Sequence, residues 1–299
     1  MSTQWTQRTE AGSPLLMRGI RWLALHVSER MARALLYPIT AYFLAIRGVE
    51  RRSSRRYLRR VLGRKPRFRE VARHFYTFAV TILDRVFLLT DRFAPERVRV
   101  HGLPALLELV DAGRGVLLLG SHLGSFEAVR AIGMSRPDVT VRVVMDYGHN
   151  PQLTALLDAL NPRVRATLID AAENSTTVLL KVHETIEAGG LVGILADRPH
   201  LSEPTVTCNL LGGPVKLPLS PFRIAAVLKA PVMLMFGLVE TAGSYEVYFE
   251  KFADPITISR SDREGDIRNW AQRYADRLEA RARSAPYNWF NFYDYWNDL

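Results

Sequence analysis

The chain has 299 residues, enough for one large or two small domains, and its 48% hydrophobic residues exclude a mainly disordered protein. A formal net charge of +10 indicates an anionic partner, such as nucleic acid, an acidic membrane surface or a phosphorylated substrate. The single cysteine excludes both an intramolecular disulfide and a metal site built from several cysteines.

The N-terminal region has two apolar stretches after Pro14, of which the second covers residues 34–46. This second stretch is shorter than the ~20 residues that a helix needs to span a bilayer. Burying the charged residues between the stretches would cost roughly 2.5–3.5 kcal/mol each. These residues are Glu29, Arg30 and Arg33. We therefore predict a helical hairpin that lies on a membrane surface; a helix pair packed only against the rest of the protein is the alternative.

Arginines follow at the spacing of one helical face: Arg52, Arg55, Arg56 and Arg59. Next to a membrane-seeking segment, they indicate an anionic headgroup patch, in which each basic side chain contributes about 1 kcal/mol. A solvated helix face is the alternative. Nucleic acid is not expected as a partner, because zinc-finger spacing, an RNP-like strand and a helix-turn-helix pattern are all missing from the sequence.

Residues 67–89 predict an amphipathic helix, and beyond it strands alternate with helices. This alternation predicts an α/β fold with a mixed, mostly parallel central sheet flanked by helices. The predicted strands cover residues 97–102, 116–119, 139–145, 164–169 and 191–195, with helices at 103–112, 151–160 and 175–188. A hairpin at 205–217, a helix at 221–228, strands at 232–239 and 245–252, and a helix at 262–283 complete the prediction.

These patterns divide the chain into three parts. Residues 1–13 are polar and predict a flexible N-terminus without a cleaved signal peptide. Residues 14–90 form the predicted N-terminal helical membrane-associated region. Residues 91–299 form the predicted α/β catalytic domain.

The most informative stretch of the sequence runs from Val116 to Glu127. An apolar strand breaks at Gly120 and is followed by His122 and, five residues later, by Glu127. Catalytic groups of α/β enzymes lie at the carboxyl ends of strands. A histidine there can act as a general base that a neighbouring carboxylate orients. A histidine that only caps or packs at the turn is the alternative.

Two further segments carry candidate binding residues. Asp197 and Arg198 follow the strand at 191–195, and they lie on the same edge as His122 if the strands are parallel. Arg198 could hold a phosphate or carboxylate, and Asp197 could orient Arg198 or bind an acceptor hydroxyl; a structural ion pair is the alternative. Lys216 could steer a phosphopantetheine group, although its segment is also a plain turn. The histidines lack metal-ligand spacing, so no metal site is expected.

The sequence Gly-Ser-His-Leu-Gly-Ser-Phe-Glu at residues 120–127 resembles the bacterial lipid A late acyltransferases. They belong to the lysophospholipid acyltransferase superfamily, whose hallmark is His-x4-Asp/Glu. The resemblance covers about residues 15–296. Its looser parts are Asn150-Pro151, Ala196-Asp197-Arg198, the hairpin at Gly212-Gly213, and the aromatic tail at 288–293.

The resemblance implies transfer of a fatty acyl group from an acyl-carrier-protein or coenzyme A thioester to a hydroxyl of a glycolipid such as a lipid A precursor. No further cofactor is implied. His122 would deprotonate the hydroxyl and Glu127 would orient His122. The residues expected to bind substrates are Asn150, Asp197, Arg198 and Lys216. The implied location is the cytoplasmic face of the bacterial inner membrane, as a peripheral or monotopic protein.

The acceptor and the reaction class have alternatives at this point. Arg198-Pro199 differs from typical lipid A enzymes, so another glycolipid, an ornithine-type lipid or a pigment ester also fits as the acceptor. An acyl-thioester hydrolase could use the same His122 and Glu127 with water in place of the lipid hydroxyl. A non-catalytic basic protein that binds lipid or nucleic acid would explain the arginines but not the histidine and carboxylate.

Overall fold

The computed structural model describes residues 28–89, 93–127, 136, 138–146, 167–199 and 203–296. Three helices come first: α1 (Glu29–Ile46), α2 (Gly48–Leu62) and α3 (Phe68–Leu89). The α/β part then runs β1 (Val98–His101), α4 (Leu103–Asp111), β2 (Val116–Gly120), β3 (Val141–Met145), β4 (Leu168–Asp170), α5 (Ser175–Glu187), β5 (Leu191–Leu195), β6 (Thr205–Leu210), β7 (Gly213–Pro218), α6 (Ser220–Leu228), β8 (Val232–Thr241), β9 (Ser244–Ala253) and α7 (Arg263–Ser284).

In the described part of the chain, seven strands form the central sheet in the order β1-β9-β8-β2-β5-β3-β4. Of its neighbouring pairs, β8 and β9 run antiparallel, and the others run parallel. The strands β6 and β7 form a separate antiparallel hairpin. The predicted mixed, mostly parallel sheet flanked by helices is confirmed.

The central strand β2 is buried along its whole length. Leu117 and Leu119 pack into a core with α2, α5 and α7, whereas Val116 and Leu118 pack on the other face with α1, α3 and α4. Helices therefore cover both faces of the sheet. This is why the sequence of β2 is a continuous apolar run instead of an alternating one.

The turn of the β6–β7 hairpin lies one residue earlier than the predicted Gly212-Gly213 pair. Leu211 and Gly212 form it, and both have the positive φ values that a tight two-residue hairpin turn requires. Contacts hold Leu211 in this conformation: its N–H donates to Glu279 Oε2 at 2.5 Å, and its carbonyl accepts from Arg60 Nη1 at 3.2 Å. Side-chain partners therefore stabilise a conformation that glycine usually takes.

Two of the charged residues in the N-terminal apolar region point toward the protein. Arg33 lies 2.8 Å from Glu29 and 2.6 Å from the fully buried carboxylate of Asp84 on α3. Tyr245 donates to the second oxygen of Asp84 at 3.0 Å. Within the described residues, no helix combines the length and apolar character that crossing a bilayer demands.

His74 on α3 is a fully buried histidine. Its Nε2 donates to the Trp289 carbonyl at 3.0 Å, and its Nδ1 accepts from the Ser54 hydroxyl at 2.9 Å. Burial lowers the pKa of His74 to about 4, because the charged ring would lose its hydration. The ring is therefore neutral in the folded protein.

This depressed pKa predicts acid sensitivity. In the unfolded chain His74 takes up a proton near pH 6.5, whereas in the folded protein it does so only near pH 4. The free energy of unfolding is therefore at its full value above pH 6.5, and it decreases as the pH falls from 6.5 toward 4. We expect the free energy of unfolding in urea to fall by about 3 kcal/mol more in the wild type than in His74→Gln between pH 7 and pH 4. The same pH dependence in both proteins would contradict this.

Candidate active site

The candidate site lies where the parallel strands β2 and β5 end side by side. Gly120 pairs with Leu195 in the register of the two strands, and the Ala196 N–H donates to the Gly120 carbonyl at 3.0 Å. His122 and Asp197 therefore each stand two residues beyond the last strand residue. Matched register at the carboxyl edge brings the two side chains together.

Asp197 is the partner of His122. The Nδ1 of His122 lies 2.8 Å from Asp197 Oδ1, and the His122 backbone N–H donates to Oδ2 at 3.1 Å. The indole N–H of Trp289 donates to the same Oδ2 at 3.0 Å. The carboxylate is fully buried, and three N–H groups satisfy its two oxygens.

The protonation states of this pair follow from its surroundings. Burial alone would raise the pKa of Asp197, but the His122 ring, the charge of Arg198 and the Trp289 hydrogen bond lower it to about 2. Desolvation, together with the positive charges of Arg198 and Arg85, holds the pKa of His122 below its usual range, although Asp197 acts in the opposite direction. At neutral pH the carboxylate is ionised and the imidazole is neutral.

An ionised carboxylate can only accept hydrogen bonds, so Nδ1 of His122 carries the proton. Its Nε2 is then the nitrogen that can take a proton from a substrate. The His122 side chain is 34% exposed, whereas the Asp197 side chain is not exposed at all. The arrangement is that of a general base held in one tautomer by a buried carboxylate.

The loop that carries His122 is fixed by Gly237 of β8. The Ser125 N–H donates to the Gly237 carbonyl at 2.6 Å, and Gly124 has a φ of +83°. A Cβ atom on Gly124 would lie 2.0 Å from that carbonyl oxygen. Only glycine fits at this position, both for its left-handed backbone and for the close approach.

Glu127 differs from its predicted role as the carboxylate that orients His122. Its Oε1 lies 2.6 Å from Arg85 Nε on α3, at an angle that makes an ion pair but not a hydrogen bond. Its Oε2 accepts from the Ser125 hydroxyl at 3.2 Å. Asp197 takes the position on Nδ1, because it follows the neighbouring strand β5 in register with β2, whereas Glu127 pairs with Arg85 of α3.

Residues 8–298 match the family model described as bacterial lipid A biosynthesis acyltransferase, which is nearly the whole chain. The chain belongs to this family. It is therefore an acyltransferase. A search of curated proteins gave no match.

The remaining predicted binding residues of this acyltransferase occupy different surroundings. Arg198 donates from Nε to Asn291 Oδ1 at 2.8 Å and from Nη2 to the Phe290 carbonyl at 3.0 Å, so it binds the C-terminal segment. Lys216 is exposed on β7, on the opposite side of the strand from the buried Val215. Asn150 lies outside the described residues, so its predicted role stays a prediction.

The sequence alone does not single out two residues near His122 and Asp197, namely Trp289 and Arg85. Trp289 stands in the aromatic tail that carries part of the resemblance, and that tail was the only signal for it. Arg85 is one arginine within an amphipathic helix, and nothing in the sequence distinguishes it. Among the described residues, no group of three histidine, cysteine or acidic side chains could hold a metal ion.

The charges around His122 predict its titration. We expect the imidazole to protonate below its usual pKa of ~6.5, and lower still in Asp197→Asn, because that change removes the charge that favours the imidazolium. Long-range nitrogen–proton NMR correlation of the ring measures both values. The matched control, Asp138→Asn, neutralises an exposed carboxylate that pairs with Arg136 and should leave the titration unchanged. A His122 pKa above 6.5 would contradict the assignment.

Proposed function

We propose that this chain transfers a fatty acyl group from an acyl-carrier-protein or coenzyme A thioester to a hydroxyl of a glycolipid such as a lipid A precursor, at the cytoplasmic face of the inner membrane. The observation that carries the proposal is the accessible, neutral His122 on a fully buried Asp197 carboxylate. The family description, bacterial lipid A biosynthesis acyltransferase, supports the acceptor class.

In the proposed reaction, Nε2 of His122 removes the proton of the acceptor hydroxyl as its oxygen attacks the thioester carbonyl carbon. The tetrahedral intermediate then releases the thiolate, which receives that proton from the imidazolium. Asp197 stabilises the imidazolium between these two steps. The products are the acyl ester and the free thiol. A low pKa suits His122 to this role, because the ring stays unprotonated at neutral pH.

Arg85 supports the same step. Its guanidinium is near enough to His122 to lower the pKa of the ring, and Glu127 holds it in place. A positive charge beside the reacting centre favours the negative charge that develops on the carbonyl oxygen. In this proposal Glu127 contributes to catalysis through Arg85 rather than through His122.

The outer side of α1 supports contact with a lipid surface. Large apolar side chains recur there four or seven residues apart, and they are between 42% and 61% exposed. These residues are Met31, Leu35, Tyr42 and Ile46. Since Glu29 and Arg33 pair on the inner side, the exposed side of α1 is mostly apolar, as in helices that lie in a membrane interface.

The arginines of α2 add an electrostatic contribution to this contact. Arg52, Arg55, Arg56 and Arg59 are all exposed on α2. Arg56 in addition forms an ion pair with Asp294 of the C-terminal segment. Anionic headgroups would attract the guanidinium groups of Arg52, Arg55 and Arg59. The headgroup role is thus proposed for Arg52, Arg55 and Arg59, and Arg56 also anchors the tail.

Removal of the base tests the reaction. We expect His122→Ala to lower acyl transfer by at least about a thousandfold, because no neighbouring group replaces a positioned general base. The control, His183→Ala, changes an exposed histidine of α5 and should keep wild-type activity. Mass spectrometry of the lipid product separates transfer from thioester hydrolysis. Full activity in a folded His122→Ala protein would refute the mechanism, and free fatty acid as the main product would refute the acceptor.

Neutralisation of α2 tests the membrane contact. Arg52→Gln, Arg55→Gln and Arg59→Gln together should weaken sedimentation with phosphatidylglycerol vesicles at least tenfold, since each arginine contributes about 1 kcal/mol. The control neutralises three exposed arginines near the start of α7, with the same change in net charge. They are Arg260, Arg263 and Arg268. Equal losses in both triple variants would show that net charge, and not the α2 surface, attracts the protein to anionic lipid.

A further inference from the structure

The C-terminal segment, residues 288–295, passes over the loop that carries His122, and we call it the C-terminal clamp. Leu123 and Trp289 form an antiparallel bridge. The Gly124 N–H donates to the Asn288 carbonyl at 2.8 Å, and the Phe290 N–H donates to the His122 carbonyl at 3.3 Å. The clamp therefore adds backbone hydrogen bonds to the loop that carries His122.

The clamp also holds the second catalytic loop. The hydroxyl of Tyr295 donates to the Asp197 carbonyl at 2.5 Å, while the Trp289 indole donates to the Asp197 side chain. Both loops that carry the pair are thus bound by one segment that is about 90 residues beyond Asp197 in the chain.

Packing gives the Trp289 indole a single orientation. The side chain is fully buried, and three aromatic rings meet it edge-on. Their centroids lie 5.4 Å away for Tyr57, 4.9 Å for Tyr295 and 6.0 Å for Trp296. The direction of the N–H group is therefore fixed before any substrate binds.

We propose that Trp289 is a positioning residue for acyl transfer, whose indole N–H holds the Asp197 carboxylate so that Oδ1 faces Nδ1 of His122. This inference rests on the proposed role of His122 as the base. Without the indole, Oδ2 would keep the His122 backbone N–H as its remaining partner, and a buried carboxylate with fewer donors would turn or protonate. Either change removes the acceptor that fixes the histidine tautomer.

Trp270 on α7 provides a control in another part of the molecule. Its indole N–H also donates to an oxygen at 3.0 Å, but that oxygen is the Thr257 carbonyl. Trp270→Phe therefore removes one indole hydrogen bond and similar ring area at a partner other than Asp197. If the loss of an indole hydrogen bond acts only through general stability, both substitutions should have similar effects.

The test compares Trp289→Phe with Trp270→Phe in the full-length protein. We expect Trp289→Phe to lower kcat for acyl transfer ten- to a hundredfold with KM within twofold, and to reduce the fraction of His122 in the Nδ1–H tautomer, seen by nitrogen NMR. Trp270→Phe should leave kcat within twofold and the tautomer unchanged. If Trp289→Phe does not fold, incorporation of benzothienylalanine at position 289 keeps the ring shape and replaces only the N–H.

The outcomes separate the two proposals. A folded Trp289 variant with wild-type kcat and wild-type His122 tautomer would overturn the positioning role, as would equal losses in both tryptophan variants. If the wild type transfers no acyl group, the proposed function fails, but the NMR spectrum still reports whether Trp289 fixes the pair. A tautomer change specific to position 289 would then support the clamp on its own.

Discussion

The buried carboxylate of Asp197 is the constraint on which the rest of this structure depends. A carboxylate without exposure to water is stable as an anion only if donors surround it, and here the donors come from separate parts of the chain. The β2 loop supplies the His122 ring and backbone N–H, and the C-terminal clamp supplies the Trp289 indole. The parallel register of β2 and β5, with helices on both faces of the sheet, makes this meeting possible.

The helices α1 and α2 each have one face that packs against the protein and one face that is exposed. On α1, Arg33 faces inward to the buried Asp84, and the apolar side chains of the opposite face stay exposed. On α2, Tyr57 packs beside Trp289 in the core, whereas Arg52, Arg55 and Arg59 are exposed. Each helix thus connects the core to the surface for which we propose lipid contact, and the exposed arginines account for part of the net charge of +10.

Most of the architecture could be predicted from the sequence because its elements have strong local patterns. The apolar run of β2, the turn residues around it and the helix periodicities locate the described strands and helices to within a few residues, and a parallel sheet puts Asp197 and His122 on the same edge. The contact between Asp197 and His122 could not be predicted, because strand order and register are properties of the whole fold. The hydrogen bond from Trp289 to Asp197 could not be predicted for the same reason, because the two residues are 92 positions apart in the chain.

There is a physical reason why Asp197, and not Glu127, is the carboxylate that binds His122. A histidine that must accept a proton at neutral pH needs a carboxylate to fix its tautomer. Additional negative charge, however, would raise the pKa of the ring, and the ring would then already be protonated when the substrate binds. Here Asp197 is held by three N–H groups, and the charge of Glu127 is balanced by Arg85. His122 therefore gains an orienting partner while its pKa stays low. In the proposed mechanism the glutamate of the His-x4-Glu spacing therefore balances charge, and the residue after the neighbouring strand supplies the orienting carboxylate.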